Sequence, residues 1–295
     1  MQSRGLALLV ACAALGGATS VQANHREAKL YVITDWPSAT CSANDVPDWD
    51  DMTLDWYDEL KAHPNYFGDG VWTNGSLSRQ QLCDPDSGKS PCTDYDRVDD
   101  ADAAMIAVHG SDSLNHWAGA LLVETDGDCK IHAAEGAASD ALFVGDKDLE
   151  FLHLSSCFSL DDDNLNYVRH IFEDVDSAST GRRLHQLSGF HGVMAISSSR
   201  GGDYEDFADD GHYTSIADAW TDNMYDSDVS YEDADGAQCP VALAIGAGVA
   251  DAQIRLLLEN YTTSFSDPAS NNYISYQFYD RCAPYAELPF HDPNS

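Results

Sequence analysis

A short apolar run that ends in a cysteine is the feature that most constrains the fold. Residues 149–160 read LEFLHLSSCFSL, and an acidic segment typical of a helix start, residues 161–164, follows directly. A buried strand followed at once by a helix predicts a β–α unit with Cys157 at the carboxyl end of the strand. In open α/β sheets that edge is where ligands bind and chemistry takes place.

A second run of this kind lies earlier in the chain. Residues 103–108 read AAMIAV and are followed by His109 and Gly110, so that His109 precedes Cys157 by 48 positions. Two parallel strands with these ends would place an imidazole and a thiol side by side. The alternative is that Cys157 is a buried structural thiol and His109 an ordinary turn residue.

Strands and helices alternate along the rest of the chain. Hydrophobic periodicity predicts strands over 29–35, 191–197, 239–247 and 273–279, helices over 50–63, 161–174, 213–225 and 249–261, and a β-hairpin over 119–133. This alternation predicts an α/β fold with a mainly parallel sheet flanked by helices on both faces. Residues 66–88, rich in Gly, Asn, Asp and Ser, predict a long surface excursion. We expect a single domain over 24–295, with an N-terminal extension to about residue 100.

The amino terminus has the pattern of a secretory signal peptide. Arg4 precedes the apolar run of residues 5–17, and residues 21–23 (VQA) form a small-residue cleavage site. We therefore expect residues 1–23 to be removed and the protein to be secreted or extracytoplasmic. No later apolar run reaches the roughly 18 residues that a membrane span requires, so none is predicted.

The cysteine count is informative in an exported protein. Removing the signal peptide leaves Cys41, Cys83, Cys92, Cys129, Cys157, Cys239 and Cys282. An odd number of cysteines in an oxidising compartment indicates one free thiol, and Cys157 is the predicted one because it ends a strand. Cys83 and Cys92 flank turn residues and predict a local disulfide. The remaining connectivity stays open.

The charge excludes several classes of partner. Fifty acidic residues against 15 basic ones give a formal net charge of −35. Such a surface repels nucleic acid and anionic membranes and is typical of a halophilic surface in a saline environment. The acidic run over 93–102 also supplies carboxylates suited to Ca²⁺, although its spacing does not match an EF-hand loop. A Ca²⁺-stabilised extracellular protein is therefore a third hypothesis, and no other cofactor is expected.

Two other kinds of site are disfavoured by spacing. His109, His116, His132 and His153 together with Cys157 contain ligand types suited to a transition metal, but no His-x-x-x-His or Cys-x-x-Cys spacing supports such a site. We therefore predict no metal ligands. The Gly-x-Ser-x-Gly elbow of a serine hydrolase is absent.

The two strand ends resemble those of the caspase-like cysteine peptidases, which include caspases, metacaspases, gingipains, clostripain and separase. Residues 103–110 (AAMIAVHG) and 152–157 (LHLSSC) carry the resemblance, and their spacing lies within the range usual for that group. The resemblance extends over about residues 101–199, a region that is also similar to an uncharacterised family of bacterial secreted proteins. It implies a three-layer α/β sandwich. Metacaspases have Asp-Ser-Cys where this chain has Ser at 155, so their substrate preference does not transfer.

The resemblance implies a cysteine endopeptidase that acts on polypeptides. Cys157 would be the nucleophile and His109 the general base, and the backbone N–H groups of Gly110 and Cys157 would form the oxyanion hole. Ser155 and Ser156, or the loop over 197–202, would shape the first substrate pocket, with a basic substrate residue favoured by the acidic surface. The runner-up hypothesis is a non-catalytic secreted binding or surface module on the same scaffold. The sequence leaves the oligomeric state open.

Overall fold

The centre of the molecule is a seven-stranded sheet. The computed structural model describes residues 26–37, 40–83, 92–111, 116–125, 128–133, 141–145, 147–161, 165–172, 184–227, 238–263 and 265–279, so the signal-peptide prediction and Cys282 lie outside the described residues. The strands are β1 (Arg26–Val32), β2 (Tyr66–Thr73), β3 (Ala103–Ala107), β4 (Gly110–Ser111), β5 (Ala118–Thr125), β6 (Asp128–His132), β7 (Phe151–Ser155), β8 (Gln186–His191), β9 (Cys239–Gly246) and β10 (Tyr273–Phe278).

The sheet is mostly parallel, as its apolar strands predicted. Its order is β10-β9-β8-β7-β3-β1-β2, and the five strands from β8 to β2 run in the same direction. Strand β9 is antiparallel to β8, and β10 is antiparallel to β9. All five residues of β3 and all five of β7 are buried, which is the pattern of central strands covered on both faces. The α/β class is therefore confirmed.

Helices pack together against the buried side chains of this sheet. The described helices are α1 (Asp48–Ala62), α2 (Leu165–Val168), α3 (Gly201–Asp210), α4 (Ile216–Met224) and α5 (Val249–Leu258). Helices α1, α3 and α4 contribute Trp56, Phe207 and Trp220, whose rings surround the fully buried imidazole of His153 on β7. Each of these helices has its apolar residues at helical spacing, which buries one face and leaves the acidic residues in water.

A small second sheet adjoins the carboxyl end of β3. Strands β5 and β6 form the predicted hairpin, and β4 pairs antiparallel with β5 immediately after His109. The chain leaving β3 is therefore fixed on both sides, first by the central sheet and then by this hairpin.

Three local predictions were wrong. Residues 66–73 are not a surface excursion but the edge strand β2, which pairs parallel with β1 in the same sheet as β3. The strand predicted over 191–197 is β8 at Gln186–His191, because Gly192 has a φ of 74° and turns the chain out of the sheet. The loop predicted over 197–202 contains a 3₁₀ turn at Ser198–Arg200 and continues into helix α3, which was not predicted.

Disulfides hold the outer loops. Cys83 is bonded to Cys92, as predicted, and Cys41 is bonded to Cys129 over a separation of 88 residues. Cys239 is also disulfide-bonded. None of the helices in the described part of the chain combines the length and the apolar character that crossing a bilayer requires.

Candidate functional site

The register of the central sheet brings His109 and Cys157 to the same edge. Strands β3 and β7 are parallel, and their last paired residues are Ala107 and Ser155. His109 and Cys157 each follow two positions later, so they leave the sheet side by side. A Cβ atom at Gly110 would collide with the carbonyl oxygen of Cys157, which shows how closely the two chain segments approach. Glycine at position 110 permits that contact.

Cys157 is the free cysteine of the described residues, as the odd count predicted. Its side chain is half-buried, and its Sγ accepts a hydrogen bond of 3.5 Å from the backbone N–H of Met194. Burial raises the pKa of the Cys157 thiol, and the N–H of Met194 opposes that rise without cancelling it. The resting thiol is therefore protonated at neutral pH.

His109 is held by a backbone carbonyl and two indole rings. Its Nε2 lies 2.8 Å from the carbonyl oxygen of Asn44, and because a carbonyl only accepts, Nε2 carries the proton. In a neutral imidazole this leaves the lone pair on Nδ1. The rings of Trp36 and Trp49 lie 4.7 and 5.5 Å from the imidazole centroid and fix its plane. The tautomer thus has its basic nitrogen available.

The loop that carries Asn44 is fastened at several points. The disulfide from Cys41 joins this loop to Cys129 on strand β6. The carboxylate of Asp45 accepts a hydrogen bond of 2.8 Å from the backbone N–H of Trp36. The Asn44 carbonyl is therefore a fixed acceptor, and it belongs to a rigid support for the imidazole.

The chain turns sharply directly after the thiol. Phe158 has a φ of 56°, in the left-handed region that a residue with a Cβ adopts at a cost. Its backbone N–H donates a hydrogen bond of 2.6 Å to the carbonyl of Gly192 at the end of β8. This turn leaves Cys157 at the rim of the sheet and directs the chain away from it.

Ser155 and Ser156 are fully buried, which argues against the direct substrate contact predicted for them. The Oγ of Ser155 accepts a hydrogen bond of 2.9 Å from Trp49 Nε1 and shares another of 2.6 Å with the hydroxyl of Tyr204. On the opposite face, Ser156 Oγ accepts a hydrogen bond of 3.0 Å from Trp117 Nε1. Both serines therefore hold the end of β7 in place.

Trp49 joins the two halves of the site. Its ring packs against His109, and its N–H holds Ser155, two residues before Cys157. No role was predicted for Trp49, Trp36 or Asn44. A signal was present only for Trp36, which directly follows the strand predicted over 29–35 and comes four residues after the end of β1.

The loop over 197–202 leads into helix α3. Arg200 in this segment is mostly buried and binds the partly exposed carboxylates of Asp203, at 3.1 Å, and Asp226. The hydroxyl of Tyr204, in the first turn of α3, bonds to Ser155. This hydrogen bond links α3 to the end of β7.

Apart from His109, the described histidines of the disfavoured metal hypothesis make contacts elsewhere. His116 Nε2 lies 2.9 Å from His132 Nδ1, beside the hairpin. His153 is buried in the core, where its Nε2 shares a hydrogen bond of 2.8 Å with the hydroxyl of Tyr261, and burial lowers its pKa to about 3.

The acidic run over 93–102 contributes to separate structural contacts. Asp99 accepts a hydrogen bond of 2.9 Å from the N–H of Gly145, and Asp102 accepts one of 2.7 Å from the N–H of Glu27. Asp100 pairs with Lys29 at 3.3 Å and with Lys147. Within the described residues, these carboxylates do not converge on one Ca²⁺ position.

One cluster of three carboxylates in the described part of the chain has the spacing of a cation site. Glu27, Asp69 and Asp100 have ligand atoms within 4.8 Å of one another. The ammonium of the buried Lys29 lies 3.0 Å from Asp69 and 3.3 Å from Asp100. Two of the three carboxylates therefore already have a lysine as their positive partner.

Comparison with known proteins identifies the family of the chain. Residues 34–253 match the family described as Domain of unknown function (DUF6345), and this range contains both His109 and Cys157. No curated protein matches the chain. Because the match extends over more than half of the 295 residues, the chain belongs to the DUF6345 family.

Proposed function

We propose that the chain is a secreted cysteine endopeptidase of caspase-like fold that uses Cys157 and His109. The observation that carries the proposal is the shared position of these residues, two beyond the last paired residues of β3 and β7, with the Nε2 of His109 bonded to Asn44. A nucleophile, a base and a third group that orients the base are the parts that covalent acyl transfer requires.

The chemistry follows from the protonation states. Nδ1 of His109 takes the proton from the Cys157 thiol as the sulfur attacks the carbonyl carbon of the scissile peptide bond. The N–H groups of Gly110 and Cys157 stabilise the oxyanion, a contribution of about 3–4 kcal/mol per donor. The imidazolium then protonates the leaving amine. Water, deprotonated by His109, hydrolyses the thioester and releases the acid and the free thiol.

Export is part of the proposal. The signal-peptide pattern of residues 1–23 and the two disulfides Cys41–Cys129 and Cys83–Cys92 support an oxidising, extracytoplasmic location. The caspase-like arrangement is supported by the parallel order β8-β7-β3-β1-β2 and by the presence of both residues at the carboxyl ends of adjacent central strands.

A non-catalytic secreted binding or surface module is the second candidate. The raised pKa of Cys157 favours it, because a protonated thiol is a poor nucleophile without transfer of its proton. The burial of Ser155 and Ser156 also favours it, since neither side chain is open to a substrate.

Thiol labelling combined with point variants separates the two candidates. We expect a haloacetamide probe to label Cys157 in the folded protein, and Cys157→Ala and His109→Ala to lower cleavage of casein and peptide libraries by about 10²–10⁴-fold. His191→Gln, which changes a histidine at the carboxyl end of neighbouring strand β8, is the matched control and retains activity.

The result that overturns the peptidase proposal is also specific. An unlabelled Cys157, together with unchanged cleavage in both variants, assigns the chain to the non-catalytic candidate. A comparison of substrates with Arg, Asp or Ala at the cleavage position tests the expected preference for a basic residue, and equal rates would remove that preference.

A further inference from the structure

Helix α5 carries the main concentration of exposed apolar side chains in the described chain. Four of its side chains are between 44% and 58% exposed: Val249, Ile254, Leu257 and Leu258. Positions 254, 257 and 258 lie on one helical face, which is the spacing of a helix that buries an apolar stripe. Soluble chains expose such contiguous patches mainly at sites of association.

An open groove continues this face. It has a volume of about 550 Å³ and lies between α5 and strand β10, with Val249, Gln253 and Leu257 on the helix side and Tyr273 on the strand side. Strand β10 is the last strand of the sheet order among the described residues. The groove and the exposed helix face together form one surface, here called the α5 face.

The charge of the α5 face differs from that of the rest of the molecule. Helix α5 contains two charged residues, Asp251 and Arg255, which bind each other at 3.1 Å, and strand β10 contains none. Arg255 also binds the buried Glu259 at 3.0 Å. On a chain with a net charge of −35, the carboxylate that α5 contributes to this face is already paired with Arg255, so two copies can meet here with little charge repulsion.

We propose that the α5 face is the contact surface of a homodimer, in which a second copy of the chain packs its own α5 against the groove. A two-fold contact of this kind uses the same patch on both copies. The ten residues of α5 extend about 15 Å, so the interface belongs to the small class and the dimer is weak, with a dissociation constant in the micromolar range.

The carboxyl-terminal segment, residues 280–295, is less suited to this surface than a second copy. It has prolines at positions 284, 289 and 293, which leave proline-free runs of at most four residues. Proline lacks the N–H that a strand added beside β10 would donate. The segment also contributes the carboxylates of Asp280, Glu287 and Asp292, which an apolar groove disfavours.

Sedimentation equilibrium of the mature chain tests this proposal. Between about 1 and 200 μM protein we expect a monomer–dimer equilibrium that becomes at least about tenfold tighter from 0.1 M to 1 M NaCl, because the Debye length falls from about 10 to about 3 Å and screens the mutual repulsion of the acidic copies. Leu257→Glu should weaken the dimer at least about tenfold by burying a carboxylate.

Tyr213→Glu is the matched control, since it makes the same charge change at a side chain that is 71% exposed in another part of the surface. It should leave the dissociation constant unchanged, and thermal melting checks that both variants fold. A wild-type monomer at 200 μM in both salts would overturn the proposal, as would equal effects of the two variants. Hydrogen exchange adds a further test at the β10 amides that do not bond to β9: protection of these amides that is independent of protein concentration assigns the surface to the chain's own residues and also overturns the proposal.

Discussion

The buried imidazole of His153 gives a sharp prediction about stability. The ring has no exposed surface, lies among Trp56, Phe207 and Trp220, and shares a hydrogen bond with the hydroxyl of Tyr261. Burial lowers its pKa from 6.5 to about 3, because the charged, protonated ring would lose its hydration among these apolar side chains. His153 is therefore neutral in the folded protein between pH 5 and pH 7.

The sign and size of the effect follow from linkage. Between pH 6.5 and pH 3 the unfolded chain binds a proton at His153 and the folded chain does not, so the free energy of unfolding falls as the pH falls through this window. For these two pKa values the loss between pH 7 and pH 5 is about 2 kcal/mol. His153→Gln removes this titration while keeping a polar side chain beside Tyr261.

The assay is urea unfolding of the wild type and of His153→Gln at pH 7, 6 and 5. The variant is less stable at pH 7 because the ring packing is lost, but the gap in unfolding free energy should narrow by about 2 kcal/mol at pH 5. Taking the difference between the two proteins cancels the titration of the many carboxylates they share. A gap that is constant with pH would refute a neutral buried ring, and ring proton resonances of His153 that shift between pH 7 and pH 4.5 would do the same.

Three further predictions concern the site and its surroundings. The rate of Cys157 alkylation should still be rising at pH 9, because burial raises the thiol pKa; a plateau already present at pH 6 in a pH–rate profile would instead indicate an imidazolium–thiolate pair. Trp49→Phe keeps the ring beside His109 but removes the N–H donated to Ser155, so it should lower stability by about 1–2 kcal/mol in urea unfolding and lower any peptidase rate, whereas an unchanged protein would show that this hydrogen bond is dispensable. Burial raises the pKa of Asp102 to about 7, so folding loses stability as the pH rises from about 4 through 7; Asp102→Asn should therefore stabilise the protein by about 2–3 kcal/mol more at pH 8 than at pH 5, and equal melting shifts at both pH values would contradict this.

Local runs of apolar residues predicted the central strands of the sheet. Strands β3 and β7 are short, mainly apolar runs, and both were located to within a few residues. Strand β2 was missed because its Gly68 and Gly70 lower strand propensity. The structure explains Gly68: a Cβ there would collide with the ring of Tyr57 on α1, so glycine allows helix and strand to approach. The packing of helix α1 against strand β2, which cannot be read from the sequence, outweighs the low strand propensity of glycine.

The residues of the candidate site were likewise predictable from the sequence only in part. His109, Gly110 and Cys157 could be chosen as candidates because strand ends are visible as changes in hydrophobicity. The contacts that hold His109 could not be predicted, because the Asn44 acceptor is a backbone carbonyl, which any residue provides. The burial of Ser155 was also missed, because which face of a strand end points inward depends on the helices that cover it. The sequence therefore indicated candidate reacting groups but not the groups that surround them.

A protonated thiol and an imidazole with a free Nδ1 suit general-base catalysis, in which the imidazole would accept the thiol proton during attack on a substrate. The surroundings of Cys157 favour the neutral thiol over a resting thiolate, because burial raises the pKa of the thiol. The Asn44 carbonyl accepts from Nε2 in both the neutral ring and the cation, so His109 gains a proton without changing its orientation. In the proposed peptidase, the proton would move only when a substrate carbonyl is in reach. A thiol that stays protonated at rest is less reactive toward oxidants and disulfides than a permanent thiolate.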